Sequence, residues 1–228
     1  MISLSTGSLY HLPLEKRFKI ANLAGFKTIE LMLYRSNNPD SEHLFNIDLL
    51  KKLQEEFQIR ITTVHAPESF SKDKIIREKT YNLIKQLKPR YMVFHIPNRS
   101  ELDYIKWFKD KYLNRNKLGD TLLLAELSEH LERDPIIKEV EDIAKLPSVC
   151  FDIAHTLKIG RDPLEEMKQL DNIYEIHVSF ADKGKCHQGI IENKEIFIKT
   201  LTNCQIEEKV IEVNNPRAYA RGINLIQA

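Results

Sequence analysis

The sequence predicts one closed, TIM-type (β/α)8 barrel with short loops, a single domain over residues 1–228, and three observations carry that expectation. Short apolar or β-branched runs recur along the chain with amphipathic stretches between them. The runs start at intervals of roughly 25–35 residues, the length of a βα unit with a short loop. Strict alternation of β and α implies a parallel sheet, and eight consecutive units are what a closed barrel needs. An open doubly wound sheet would usually have fewer strands, and no G-x-G-x-x-G follows the first run.

The first run, MISLS (1–5), leads into LEKRFKIANLAG, whose apolar positions 14, 18, 20, 21 and 23 lie at helical spacing before a stop at Gly25. KTIELML (27–33) is the second strand; the polar stretch YRSNNPDSEH (34–43), the longest polar connection, separates it from the helix NIDLLKKLQEEF. IRITTVH (59–65) pairs with DKIIREKTYNLIKQL, RYMVFH (90–95) with ELDYIKWFKDKYL, and TLLLAE (121–126) with PIIKEVEDIAKL. SVCFD (148–152) precedes DPLEEMKQL, IYEIH (173–177) precedes NKEIFIKTL, and KVIEV (209–213) leads to a last short helix in NNPRAYARGINLIQA. Asp134-Pro135 and Asp162-Pro163 are helix starts, a capping acid followed by proline at the first helical position. Trp107 sits at helical spacing with Tyr104 and Ile105 and reads as core.

The chain has 34 basic and 33 acidic side chains, a balance that argues against a protein built to coat nucleic acid or an anionic membrane. No apolar run approaches a membrane-spanning length, and the polar start does not read as a signal peptide. Cys150, Cys186 and Cys204 are widely spaced and odd in number, which points to a reducing cytoplasmic setting rather than a disulfide framework. Nothing in the sequence fixes an oligomeric state.

In such barrels the chemistry lies at the C-terminal ends of the strands. Reading the residue where each run stops gives His65, His95, Glu126, Asp152 with His155 just beyond, His177, and Glu212 in VIEVNN. After His177 comes ADKGKCHQG, with Asp182, Lys183 and His187. Five of the eight histidines therefore fall at strand exits or just after them, leaving His11, His43 and His130 as surface residues. Several carboxylates converging on one mouth would repel one another, and a divalent cation removes that conflict. Glu126, Asp152, His177 and Glu212 come from four successive strands and could surround one ion; three carboxylates and an imidazole suit Mn²⁺, Mg²⁺ or Co²⁺, with Zn²⁺ also accepted. His65 and His95 could hold a second ion with Glu126 bridging, or hydrogen-bond to substrate. His155 could reach an ion or a substrate hydroxyl. Glu30, inside the second strand, reads as a buried acid paired with a base.

GFKTIEL after the first helix, VHAP on the third strand, FDIAHT on the sixth and the pair His177 and His187 resemble the xylose isomerase-like barrel superfamily over nearly the whole chain. That group joins sugar isomerases and epimerases to type IV apurinic endonucleases. The resemblance implies that Glu126, Asp152, His177 and Glu212 bind the catalytic metal. The endonuclease branch adds two histidines, matched by His65 and His95, and a third metal held by a histidine and an Asp-x-His. His155 and His187 match that last set, but its Asp position is Lys185, with Asp182 offset from it.

The expectation is a metal-dependent isomerase or epimerase of a small sugar or sugar-like polyol, with a sugar as its small-molecule partner and no nucleic acid or membrane. Glu126 and Glu212, set on opposite sides of the mouth, would exchange the substrate proton, and His155, His187, Asp182 and Lys183 would contact the substrate. The alternatives are apurinic-site phosphodiester hydrolysis and a non-catalytic barrel.

Overall fold

Each of the eight apolar runs forms a strand: β1 (Ile2–Ser5), β2 (Thr28–Met32), β3 (Arg60–His65), β4 (Tyr91–His95), β5 (Thr121–Glu126), β6 (Val149–Asp152), β7 (Ile173–Val178) and β8 (Glu208–Ile211). The structure, a computed structural model, describes residues 1–33, 43–96, 99–100, 102–126, 139–182, 185–188 and 206–213. The strands are parallel and ordered β4-β3-β2-β1-β8-β7-β6-β5, and β4 pairs with β5 to close the barrel. A two-residue strand, Lys117–Leu118, folds back antiparallel on β5. After β7 the chain forms a hairpin from Phe180–Asp182 and Lys185–Gln188.

Capping side chains set the starts of several helices. Asn46 accepts the Leu49 N–H ahead of α2 (Ile47–Phe57), and Asp73 accepts those of Ile75 and Ile76 ahead of α3 (Lys74–Leu87). α1 (Leu14–Leu23) stops before Gly25, whose φ of 86° provides the left-handed turn. α4 (Leu102–Trp107) passes into a π-helical turn, Phe108–Leu113, instead of continuing as one regular helix. α5 covers only Val140–Ile143, and the Asp134-Pro135 start lies outside the described residues. α6 (Ile153–Lys158) is unexpected, beginning directly at the end of β6. α7 (Pro163–Met167) has the expected Asp162 cap. The stretches 193–201 and 214–228 are likewise outside the described residues.

The main core lies between sheet and helices, where Leu4, Ile29, Leu31, Phe94 and Phe151 pack under Phe18, Leu50 and Leu83. Trp107 packs against this core half-buried and stacks on Tyr104 at 5.0 Å. The barrel axis is divided. Along β4, β5 and β6 it is apolar, with Tyr91, Val93, Leu124 and Cys150 in one small cluster. Facing them, Ser3, Thr28, Glu30, Thr63, Glu175 and Glu208 are all buried, where barrels of this type usually hold aliphatic layers. Two strand irregularities fall in this polar half. Ile29 is opposite Ile61 but Glu30 is opposite Thr63, and Val149 is opposite Ile173 but Cys150 is opposite Glu175. One extra residue on β3 and one on β7 shift the pleat at Glu30 and Glu175.

Candidate metal centre and active site

Parallel strands point their C-terminal ends the same way, so the strand-end residues meet at one mouth. Glu126, at the end of β5, is its hub. Its Oε2 lies 2.7 Å from His65 Nε2 and 3.2 Å from His95 Nε2, and its Oε1 lies 3.1 Å from His177 Nδ1. His177 Nδ1 also lies 3.1 Å from Glu212 Oε2 and 3.6 Å from Asp152 Oδ2. Glu126 and Glu212, from strands three apart around the barrel, both turn towards this one nitrogen, with ligating atoms within 4.8 Å of each other.

The first turn of α6 and the hairpin add a second layer. Asp152 Oδ1 accepts the His155 backbone N–H at 2.7 Å, which swings the His155 ring back to 3.8 Å from both Asp152 Oδ2 and Glu126 Oε1. His187 takes a left-handed backbone, φ 58°, pairs with Ser179 Oγ at 3.2 Å, and meets the His155 ring edge-on at 5.3 Å. The side chain of Asp182 and the whole of Lys183, both expected at the substrate, lie outside the described residues.

The electrostatics are set by burial working against opposite charges. Burial alone would raise Glu126, but the charges of His177, His65 and His95 outweigh it and hold its carboxyl well below the usual range. Burial would lower His65, yet Glu126, by charge and hydrogen bond, lifts it to about 9. Glu212, despite burial, is held at about 2 by His187 and His177. Deeper in the barrel burial outweighs the nearby His177 and, with the charge of Glu30 added, pushes Glu175 up to about 7; burial likewise pushes the Cys150 thiol well up.

The donor set fits a cation. Asp152 Oδ2 and Glu212 Oε2 are buried and have no hydrogen-bond partner among the described residues. An orphaned buried carboxylate oxygen is costly, and an ion between them would satisfy both. Among the described residues, four groups place one ligating atom per residue within 4.8 Å of the others: Glu126, Asp152, His177 and Glu212; His65, His95 and Glu126; Asp152, His155 and His187; and, deeper in the barrel, Cys150, Glu175 and His177.

Glu30 is fully buried and lies 3.1 Å from His177 Nε2, as a buried acid paired with a base should. Glu175 was missed. Its signal was the period of two in IYEIH, which puts it on the same inward face as His177. Ser179 was missed as well, and carried no pattern that would have marked it.

No family model matches the chain. An uncharacterized protein from Mycobacterium leprae is 25% identical over 132 residues, 55% of this chain and 45% of that protein. The chain thus matches less than half the length of this curated relative. Among solved structures, a xylose isomerase domain containing protein from Salmonella typhimurium superposes with TM-score 0.68 at 15% identity, covering 100% of this chain and 97% of that one. The probable 3-DHS dehydratase AsbF from Bacillus anthracis gives 0.68 at 14%, covering 100% and 98%. An AP endonuclease, family 2, from Brucella melitensis gives 0.68 at 12%, covering 99% and 97%. Identities this low speak for the fold.

Proposed function

We propose that this chain, whose fold is that of the xylose isomerase-like barrels, is a metal-dependent isomerase or epimerase of a small sugar or sugar-like polyol. The observation that carries the reading is the pair of buried oxygens, Asp152 Oδ2 and Glu212 Oε2, without a hydrogen-bond partner among the described residues and grouped with Glu126 and His177 within 4.8 Å.

Glu126, Asp152, His177 and Glu212 would hold one divalent ion, Mn²⁺, Mg²⁺, Co²⁺ or Zn²⁺, and His65 and His95 a second with Glu126 shared. The ion, when bound, would supply a Lewis acid for neighbouring carbonyl and hydroxyl oxygens and so acidify the C–H between them. Glu212 has a second oxygen beyond the one directed at His177 Nδ1, whereas Glu126 Oε2 meets His65 and His95; these two carboxylates are the proposed groups that take the substrate proton and return it. Both are held ionised, so the one that removes the proton acts as the base and the other returns a proton it has gained from solvent. His155 and His187, at the same mouth, orient hydroxyls; Asp182 and Lys183 are proposed to contact the substrate with them.

The experiment is exchange of deuterium from D₂O into a panel of ketoses and aldoses by the metal-loaded protein, read by NMR. Label entering one carbon beside a carbonyl supports the reading. No exchange in any sugar by protein with its metal bound rejects it in favour of a binding barrel.

A second reading, phosphodiester hydrolysis at abasic sites, is favoured by one observation. The three ligand groups at the mouth together resemble the metal set that the endonuclease branch implies, and an AP endonuclease is among the structural neighbours. The near-neutral charge and Lys185 in place of an acid weigh against it.

A further inference from the structure

Below the mouth, His177 meets two more carboxylates that the proposed chemistry does not use. Its Nε2 hydrogen-bonds Glu30 Oε2 at 3.1 Å and lies 3.4 Å from Glu175 Oε1. Both acids are completely buried on the barrel axis. The Thr63 hydroxyl donates to the other oxygen of Glu175, which fixes that side chain. Each acid stands at one of the two strand irregularities, Glu30 where β3 gains a residue against β2, Glu175 where β7 gains one against β6. Extra residues are rare in parallel pairs and re-aim side chains. Here two separate ones bring two acids under the same ring nitrogen.

The two ring edges differ in what they face. A proton on Nε2 can be donated to the Glu30 carboxylate, which holds the ring from below. On the opposite edge, Nδ1 faces oxygens of Glu126, Glu212 and Asp152 at 3.1, 3.1 and 3.6 Å. A single N–H cannot serve three acceptors, and two of those oxygens have no hydrogen-bond partner among the described residues.

We propose that Glu30 and Glu175 are positioning residues that keep the His177 proton on Nε2 and leave the Nδ1 lone pair to the ion shared by Glu126, Asp152 and Glu212. The proposal rests on the metal reading of the mouth and not on the choice of substrate. Such an outer carboxylate fixes the tautomer and orientation of the ring and raises its basicity as a ligand. Glu30, nearer and in hydrogen-bond geometry, carries the larger share.

The test uses the whole chain labelled with ¹⁵N-histidine, with long-range ¹H–¹⁵N spectra recorded metal-free and loaded with Zn²⁺. The expected result is a proton on His177 Nε2 in both forms, and none on Nδ1 once zinc is bound. A bare Nε2 in either form overturns the proposal, and that reading needs no variant. Glu30→Gln keeps the side-chain size; with its fold checked by circular dichroism, it should bind zinc about 10- to 100-fold more weakly, and Glu175→Gln less so. Unchanged zinc affinity in a folded Glu30→Gln protein also overturns it. Neither measurement contains sugar. Failure of every sugar with zinc bound would therefore reject the substrate reading alone, whereas failure of the wild type to take up zinc would reject the mouth and this proposal together.

Discussion

Asp152 accepts the backbone N–H of His155 through Oδ1 at 2.7 Å, while its buried Oδ2 has no hydrogen-bond partner among the described residues. One oxygen caps α6 and the other faces the mouth, so the two roles can be separated. Asp152→Asn keeps a capping oxygen and Asp152→Ala removes it; both lose the charge. In urea unfolding of metal-free protein, the Ala variant should be about 1 kcal/mol less stable than the Asn variant. Both should bind Mn²⁺ or Zn²⁺ far more weakly than wild type. Equal stability of the two variants would argue against the cap, and wild-type metal affinity in Asp152→Asn against ligation by Oδ2.

Glu126→Gln and Glu212→Gln each keep the shape of the side chain and lose the base. Deuterium exchange into substrate should slow by about a hundredfold or more for either variant. Metal affinity, measured alongside, should fall by much less. Exchange at the wild-type rate in both variants, with metal bound, would rule out the two-glutamate proton transfer.

Glu126 holds His65 protonated, with a folded value of about 9 against an ordinary 6.5. The folded value is the higher one, so the pair's contribution to stability is whole below about pH 6.5 and disappears as pH rises through about 9. Metal-free protein should therefore lose stability across that window, and His65→Gln should flatten the loss. Ligation needs the neutral ring, so metal affinity should climb over the same range as protons are released. Titration calorimetry in two buffers of different ionisation heat counts those protons. Metal uptake at pH 7 with no proton released would show that His65 is not a ligand.

A duplex carrying an abasic site, incubated at low salt with the Zn²⁺- or Mn²⁺-loaded protein, should remain intact at that site. Specific nicking that vanishes in Glu126→Gln would transfer the mouth to phosphodiester hydrolysis.

The strands were legible in the sequence because each is a short apolar run, and the mouth because several of those runs end on a polar residue. Glu126, Asp152 and His177 are each the last polar residue of such a run, and all three converge. α6 was not legible: only Ile153–Lys158 form it, and its start signal, Asp152, also ends a strand. The strand irregularities were invisible because an extra residue within a parallel strand carries no turn residue to mark it. Glu175 therefore looked like one polar position in an alternating strand, and its meeting with Glu30 under His177 depended on pairings that no local pattern encodes.

The polar half of the barrel interior also constrains how the molecule opens. The partners of His177 come from β2, β5, β6, β7 and the residue that follows β8, with Thr63 on β3 holding Glu175. No contiguous half of the chain contains them all. A partial opening that peeled away β2 or β7 would strand ionisable groups in a dry interior without their counterparts, a cost that full unfolding into water escapes. Intermediate openings are thereby disfavoured, and the barrel behaves as one cooperative unit. In native-state hydrogen exchange, the amides of β2 and β7, distant in sequence, should share a single opening free energy close to that of global unfolding.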